Sequence, residues 1–227
     1  MMAYDQTLAR VETYFDNTAT EAWERLTADT PVSKVRKTVR AGRDQMRSLI
    51  IDQLPMDLKG QRVLDAGCGT GQMTVELAKR GASVLACDIS PSILDIAKRR
   101  TPPELLNQIT FISGDMLNKD LGFFDHVVAM DSLIYYIAAD IGTALRALER
   151  RVSDKIIFTV APRTKFLLCM WYIGKIFPRS DRSPEMIPHN FNSLSRQITA
   201  AGVSRRLQFV DTVVSGFYIS QALELRL

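Results

Sequence analysis

The chain has 227 residues, 46% hydrophobic and 24% charged, with a formal net charge of +4. That is the make-up of one ordinary globular unit with a sizeable core, and it is too weakly basic to argue for nucleic acid. Three cysteines and two histidines, with no Cys–His cluster, exclude a disulfide scaffold and argue against a protein-built metal site.

The first thirty residues read as helical. Leu8, Val11, Tyr14 and Phe15 share one face, and a second short amphipathic piece runs from Asn17 to Leu26. The N-terminus is polar from Tyr4 to Arg10, unlike a signal peptide, so a cytoplasmic protein is expected. Pro31 opens a longer helix that reaches about Leu54. Its apolar stripe is Val32, Val35, Val39, Met46, Leu49 and Ile50. Arg36, Arg40, Arg43 and Arg47 line the opposite face. Such a line is either a solvated face or an anion-binding stripe. Arginine's planar fork matches carboxylates bidentately, which makes Arg36, Arg40 and Arg43 substrate-binding candidates. Residues 1–58 are expected to form a helical cap and 59–227 a single α/β unit.

That unit opens with the most informative stretch of the chain, V63-L-D-A-G-C-G-T-G71. Val63 and Leu64 end a buried parallel strand, Asp65 follows, and Gly67, Gly69 and Gly71 come at alternate positions. Gln72 to Lys79 has helical spacing and closes at Gly81. A second strand, Ser83 to Cys87, ends in Asp88. Glycines let the backbone turn sharply and let a ligand approach closely. An acid at the tip of the second strand can take both hydroxyls of a ribose. The spacing is not the dinucleotide pattern G-x-G-x-x-G. A carboxylate beside the first glycine would repel a pyrophosphate, whereas a ligand with an ammonium group suits it.

Ser90 and Pro91 then start a helix, as N-cap and first helical residue, and Pro102-Pro103 stops it. The third strand is Ile109 to Ser113, followed by Gly114-Asp115-Met116. The fourth is Phe124 to Met130, with His126 packed inside it and Asp131 after it. A helix over 138–152 and a fifth strand, Lys155 to Val160, complete the alternation. Strands alternating with helices predict a parallel sheet with helices on both faces and a site beyond the strands' carboxyl ends. Asp65, Asp88, Asp115 and Met130 all fall there. The run from Thr164 to Phe177 is apolar and aromatic but too short to span a membrane. It reads first as a pocket wall or lid; a membrane-interface surface and plain core are the alternatives. A helix from Asn190 to Ala201 and two β-like runs about a Ser215-Gly216 turn finish the chain.

The loop pattern resembles the S-adenosylmethionine (SAM) site of class I methyltransferases, and the terminal hairpin agrees. The implied fold is α/β: a doubly wound, Rossmann-like, mostly parallel sheet with a C-terminal antiparallel hairpin and an N-terminal helical cap. The implied cofactor contacts are Asp65, Ala66, Gly67, Gly69, Gly71, Asp88, Ile89, Asp115, Met116 and Met130, with Asp115 facing the adenine amine and Met116 its ring plane.

The flanks narrow the family. The segments Y14-F-D-N-T-A-T-E-A-W23, P31-V-S-K-V-R-K-T-V-R-A-G-R43, M130-D-S-L-I-Y-Y136 and S215-G-F-Y-I-S-Q221 resemble the magnesium-protoporphyrin O-methyltransferases of (bacterio)chlorophyll biosynthesis. The resemblance implies methylation of one propionate of Mg-protoporphyrin IX. It also implies work beside the porphyrin-binding subunit of magnesium chelatase and loose association with photosynthetic membranes. Trp171 and Tyr172 would line the flat porphyrin and the arginines would hold the spare propionate; His189 either packs or lies at the surface, or approaches the magnesium axially. The metal arrives in the substrate, so no protein-built metal site is expected. A propionate is already ionised near neutrality, so no general base is required. Some members carry a histidine where Tyr135 stands; Tyr135 either hydrogen-bonds the carboxylate or packs. Rival readings are a SAM methyltransferase for another apolar acceptor such as a quinone precursor, and a SAM-binding protein without catalysis.

Overall fold

In the computed structural model, residues 2–14, 16, 34–164 and 185–226 are described. The piece from Asn17 to Leu26, the start of the Pro31 helix, Cys169, and Trp171 and Tyr172 in the apolar run lie outside them. In chain order come α1 (Met2–Tyr14), α2 (Lys34–Ile51), β1 (Arg62–Ala66), α3 (Gln72–Lys79), β2 (Ser83–Asp88), α4 (Pro91–Arg100), β3 (Ile109–Ser113), β4 (Phe124–Ala129), α5 (Ala138–Glu149), β5 (Val152–Val160), α6 (Phe191–Ala200), β6 (Arg206–Ser215) and β7 (Tyr218–Arg226). The strands form one sheet in the order β3-β2-β1-β4-β5-β7-β6. The first five pair in parallel, and β7 and β6 pair antiparallel. This is the expected doubly wound sheet with its hairpin. β5 begins three residues before its apolar run, where Val152 pairs with Phe124.

Period-two alternation divides the strand side chains between two cores. Val63, Val84, Val128 and Ile157 face α2, α3 and α4, meeting Met46, Ile50, Leu77 and Leu94. Leu64, Leu85, Val127 and Ile156 face α1, α5 and α6, meeting Val11, Leu145 and Ile198. Each such fully buried aliphatic chain stabilises the fold by about 1.5–3 kcal/mol. Local chemistry sets the helix starts. Ser90 Oγ accepts the Ile93 N–H at 3.3 Å, with Pro91 next, and Asn190 Oδ1 accepts the Ser193 N–H at 3.2 Å.

The α2 helix is seated on the C-terminal hairpin. Ser215 Oγ donates to the Thr38 carbonyl at 2.8 Å. Gly42 is buried against the Tyr218 ring, and a methyl added there would lie 2.6 Å from Cδ1. Gly42→Ala is therefore expected to destabilise the fold by about 1–3 kcal/mol through overpacking. A lowered urea midpoint would show it; an unchanged midpoint would mean that α2 does not sit so closely.

Candidate active site

The turn after β1 is built by glycine backbone and closed by carboxylates. Gly67, Gly69 and Gly71 have φ of 78°, 54° and 82°, values that an L side chain rarely adopts. The Gly67 and Cys68 N–H groups both donate to the Cys87 carbonyl, at 2.8 and 3.0 Å, which ties the turn to the end of β2. Asp88 then holds the loop by its side chain: Oδ2 accepts the Gly69 N–H at 2.8 Å and Oδ1 the Ser90 N–H at 3.0 Å. Burial raises the Asp88 pKa, and those backbone N–H groups pull it back down. Asp65 lies deeper, and its Oδ2 accepts the Thr74 hydroxyl at 2.5 Å. Burial pushes its carboxyl up to about 7 against that hydrogen bond.

Two cavities flank this loop and share Gly67, Gly69, Thr70, Arg43 and Met130 in their walls. The larger has about 760 Å³ of empty space, which takes in open solvent at its mouth. Its walls include Asp88, Ile89, Met116, Asp131, Ser132, Tyr135 and Tyr136. The α1 helix covers it: Leu8 and Val11 line it, and the Tyr4 ring stacks on Tyr136 at 4.9 Å. Asp16, beyond α1, accepts the hydroxyls of Ser90 and Ser92. The smaller cavity, about 420 Å³, has Asp65, Arg47, Gln72 and Met73 in its wall. Burial, with Asp88 next, raises both thiols beside the loop, Cys87 to about 12. Neither serves as a thiolate near neutrality.

Most of the expected cofactor residues meet here; Ala66, Gly71 and Asp115 line neither cavity. Ala66 is fully buried in the core and presents no side chain to either cavity. Asp115 does not line the larger cavity; its Oδ1 accepts the Tyr4 hydroxyl at 2.8 Å and the Leu117 N–H at 2.9 Å. The arginine line is split by the docking of α2. Arg43 lines both cavities and Arg47 the smaller, whereas Arg36 is exposed and Arg40 half-buried, away from both. His189 takes the packing role rather than a place in either cavity wall. It is buried off the cavities, its Nε2 pairs with the Tyr136 carbonyl at 3.0 Å, and its backbone N–H donates to Ala161. Burial lowers its pKa, so it packs as a neutral ring. His126 is buried as expected, with Nε2 2.7 Å from Gln61 Oε1. Among the described residues no cluster of His, Cys, Asp and Glu could hold a metal ion.

Sequence reading gave no role to Asp131, Ser132, Tyr218 or Tyr4. Asp131 has φ of 58°, unusual for a residue with a side chain, and that turn brings its carboxylate back over the sheet. Arg43 Nη1 reaches Asp131 Oδ2 at 2.8 Å and the Tyr218 hydroxyl reaches Oδ1 at 3.1 Å. The signal available was their position: Asp131, Arg43 and Tyr218 each sit in one of the narrow segments 130–136, 31–43 and 215–221.

Comparison with known proteins decides the family. A model described as magnesium-protoporphyrin IX methyltransferase C-terminus matches residues 129–227, and a general methyltransferase domain matches 63–155. The magnesium-protoporphyrin O-methyltransferase of Rhodobacter capsulatus is 58% identical over 224 residues, 98% of each chain. The chain belongs to the magnesium-protoporphyrin O-methyltransferase family. The family's fold is seen in the crystal structure of magnesium protoporphyrin IX methyltransferase from Synechocystis PCC 6803 with bound S-adenosylhomocysteine. It superposes with a TM-score of 0.82 at 28% identity, covering 96% of this chain and 99% of that one. A ubiquinone biosynthesis O-methyltransferase of Coxiella burnetii matches at 42% over only 78 residues, 34% of this chain and 33% of that one.

Proposed function

We propose that this enzyme transfers the methyl group of SAM to a propionate carboxylate of Mg-protoporphyrin IX, giving the monomethyl ester and S-adenosylhomocysteine. The observation that carries the reading is the full-length relation to the Rhodobacter enzyme, which spans the flanks as well as the loop. The quinone alternative has only a short shared segment behind it.

The loop fits the cofactor. A methyl added to Gly69 meets nothing within 4 Å, so the inner side of the turn is open. Carboxylates at Asp65 and Asp88 suit a ligand bearing cationic groups and a ribose. When bound, SAM supplies an electrophilic methyl on sulfur, and the C–O bond forms as the S–CH₃ electron pair passes to sulfur. Asp88 holds the ribose, and Ile89 and Met116 hold the adenine. In the smaller cavity, Asp65 faces the ammonium and Arg47 and Gln72 the carboxylate of the amino-acid end. No residue takes a proton, because the acceptor is already a carboxylate. The protein's work is alignment and exclusion of water. Burial raises the Tyr135 pKa, so its hydroxyl stays a neutral donor in the wall.

The family resemblance casts residues 1–58 as the cap over that site, where α1 already stands, and Trp171 and Tyr172, outside the described residues, as porphyrin contacts. The porphyrin-binding subunit of magnesium chelatase as partner, and peripheral attachment to a photosynthetic membrane, rest on the family resemblance. Among the described residues no helix is long and apolar enough to cross a membrane. The expected result with labelled SAM is a base-labile ester on Mg-protoporphyrin IX and none on metal-free protoporphyrin IX or a quinone precursor. Label on the quinone precursor alone would replace this reading with the alternative.

A further inference from the structure

Three segments distant in sequence meet at one group in the wall of the larger cavity. Asp131, just past β4, is the hub. Its Oδ2 takes Arg43 Nη1 from α2 at 2.8 Å. Its Oδ1 takes the Tyr218 hydroxyl from β7 at 3.1 Å and the Thr159 hydroxyl from β5 at 3.2 Å. Its own N–H donates to Thr159 Oγ1 at 2.8 Å. The side chains of the ion pair are only 19% and 8% exposed. A buried pair of this kind adds little net stability, because desolvation offsets most of the attraction. Asp131 also holds a left-handed backbone, which is unfavourable for a residue with a side chain. Strain and a buried ion pair at one cavity wall point to a ligand rather than to stability.

The charge at that wall names the ligand. Arg43 is the cationic side chain among the described residues of the larger cavity, where Asp88 and Asp131 are the anionic ones. An acceptor that arrives as a carboxylate needs that cation. A guanidinium has five N–H donors in a planar fork, so a carboxylate behind it orients the fork toward one in front. A second donor lines the same cavity. Ser132 Oγ is buried, lines the same cavity and has no hydrogen-bond partner among the described residues. A buried hydroxyl left unpaired is unfavourable unless something that binds satisfies it.

We infer that Asp131 and Tyr218 are positioning residues that hold Arg43 in the pose receiving the reacting carboxylate, with the Ser132 hydroxyl as its second donor. This rests on the carboxylate-methylating reading above. It assigns Arg43 to the reacting carboxylate and not to a spare one. Asp131 and Tyr218 act through Arg43 and touch no substrate.

The test is a double-mutant cycle on the full chain. It reads kcat/KM for Mg-protoporphyrin IX at saturating SAM, porphyrin affinity by absorbance, and SAM affinity by calorimetry. Arg43→Ala is expected to lower kcat/KM about 100-fold, Asp131→Asn about 30-fold, and Tyr218→Phe and Ser132→Ala about 5-fold each. SAM affinity stays within about threefold throughout, and porphyrin affinity falls in Arg43→Ala. Asp131→Asn placed on Arg43→Ala lowers kcat/KM no further, because its effect passes through the arginine. Additive losses would overturn the inference by making Asp131 merely structural. So would a fall in SAM affinity with porphyrin affinity intact, which would assign Arg43 to the cofactor. Tyr218→Phe deletes one hydroxyl and keeps the ring against Gly42, so it remains readable if Asp131→Asn fails to fold. The wild-type enzyme is the control: if it methylates no porphyrin, the functional reading fails, and the binding arms still report on Arg43.

Discussion

Asp88→Asn is expected to weaken SAM binding by about 100-fold or more while leaving the fold as stable as before, or more so. Two charge-assisted hydrogen bonds to a ribose, worth about 1.5–3 kcal/mol each, would be lost or weakened. The loop that the carboxylate holds, through the Gly69 and Ser90 N–H groups, would keep one amide oxygen in place of two charged ones. The stability side follows from the direction of the pKa shift. Burial raises the Asp88 pKa above its unfolded value, so the ionised form is disfavoured in the fold. Stability from this group is therefore present at acid pH and falls as pH rises through the carboxylate range. Replacing it with a neutral amide removes that loss. Calorimetric titration with SAM and thermal unfolding near neutral pH measure the two sides. A large drop in melting temperature with SAM affinity intact would make Asp88 a structural brace instead.

The second large effect is at Gly67. Its φ of 78° is strained for any side chain, and a methyl there would overlap the Ser132 Cβ. Backbone strain of roughly 1–2 kcal/mol and overpacking of roughly 1–3 kcal/mol act together. Gly67→Ala is thus expected to destabilise the protein by about 2–4 kcal/mol in urea unfolding and to abolish measurable SAM binding, because the loop that both cavities share must move. Adding Ser132→Gly removes the overlap and leaves the strain, so the double variant should regain about half of the lost stability. No recovery at all would mean that the two residues do not pack as described.

Much of this site could be read before folding because its rules are local. Three alternating glycines after a strand, an acid at the next strand's tip, and a Ser-Pro helix start act within a few residues of themselves. The succession of strands and helices up to β5 and the terminal hairpin followed from alternating periodicities for the same reason. The arginine line shows where such reading ends. Helical spacing places Arg36, Arg40, Arg43 and Arg47 in one row and treats them alike. The docking of α2 on the hairpin, through Gly42 against Tyr218 and Thr38 against Ser215, sends Arg43 and Arg47 to the cavities and leaves Arg36 in solvent.

The amino-acid sequence by itself determined the doubly wound fold, the glycine loop with Asp65 and Asp88, and, through its flanking segments, the family. Tertiary structure alone decided which polar groups face each other. Asp131 meets Arg43 from 88 residues away and Tyr218 from 87, Asp115 gives its carboxylate to Tyr4 across 111, and His189 turns to the Tyr136 carbonyl across 53. A hydrogen bond forms within about 3 Å. Whether groups so far apart in the chain come that close depends on how helices seat on the sheet, and no local pattern of residues encodes it.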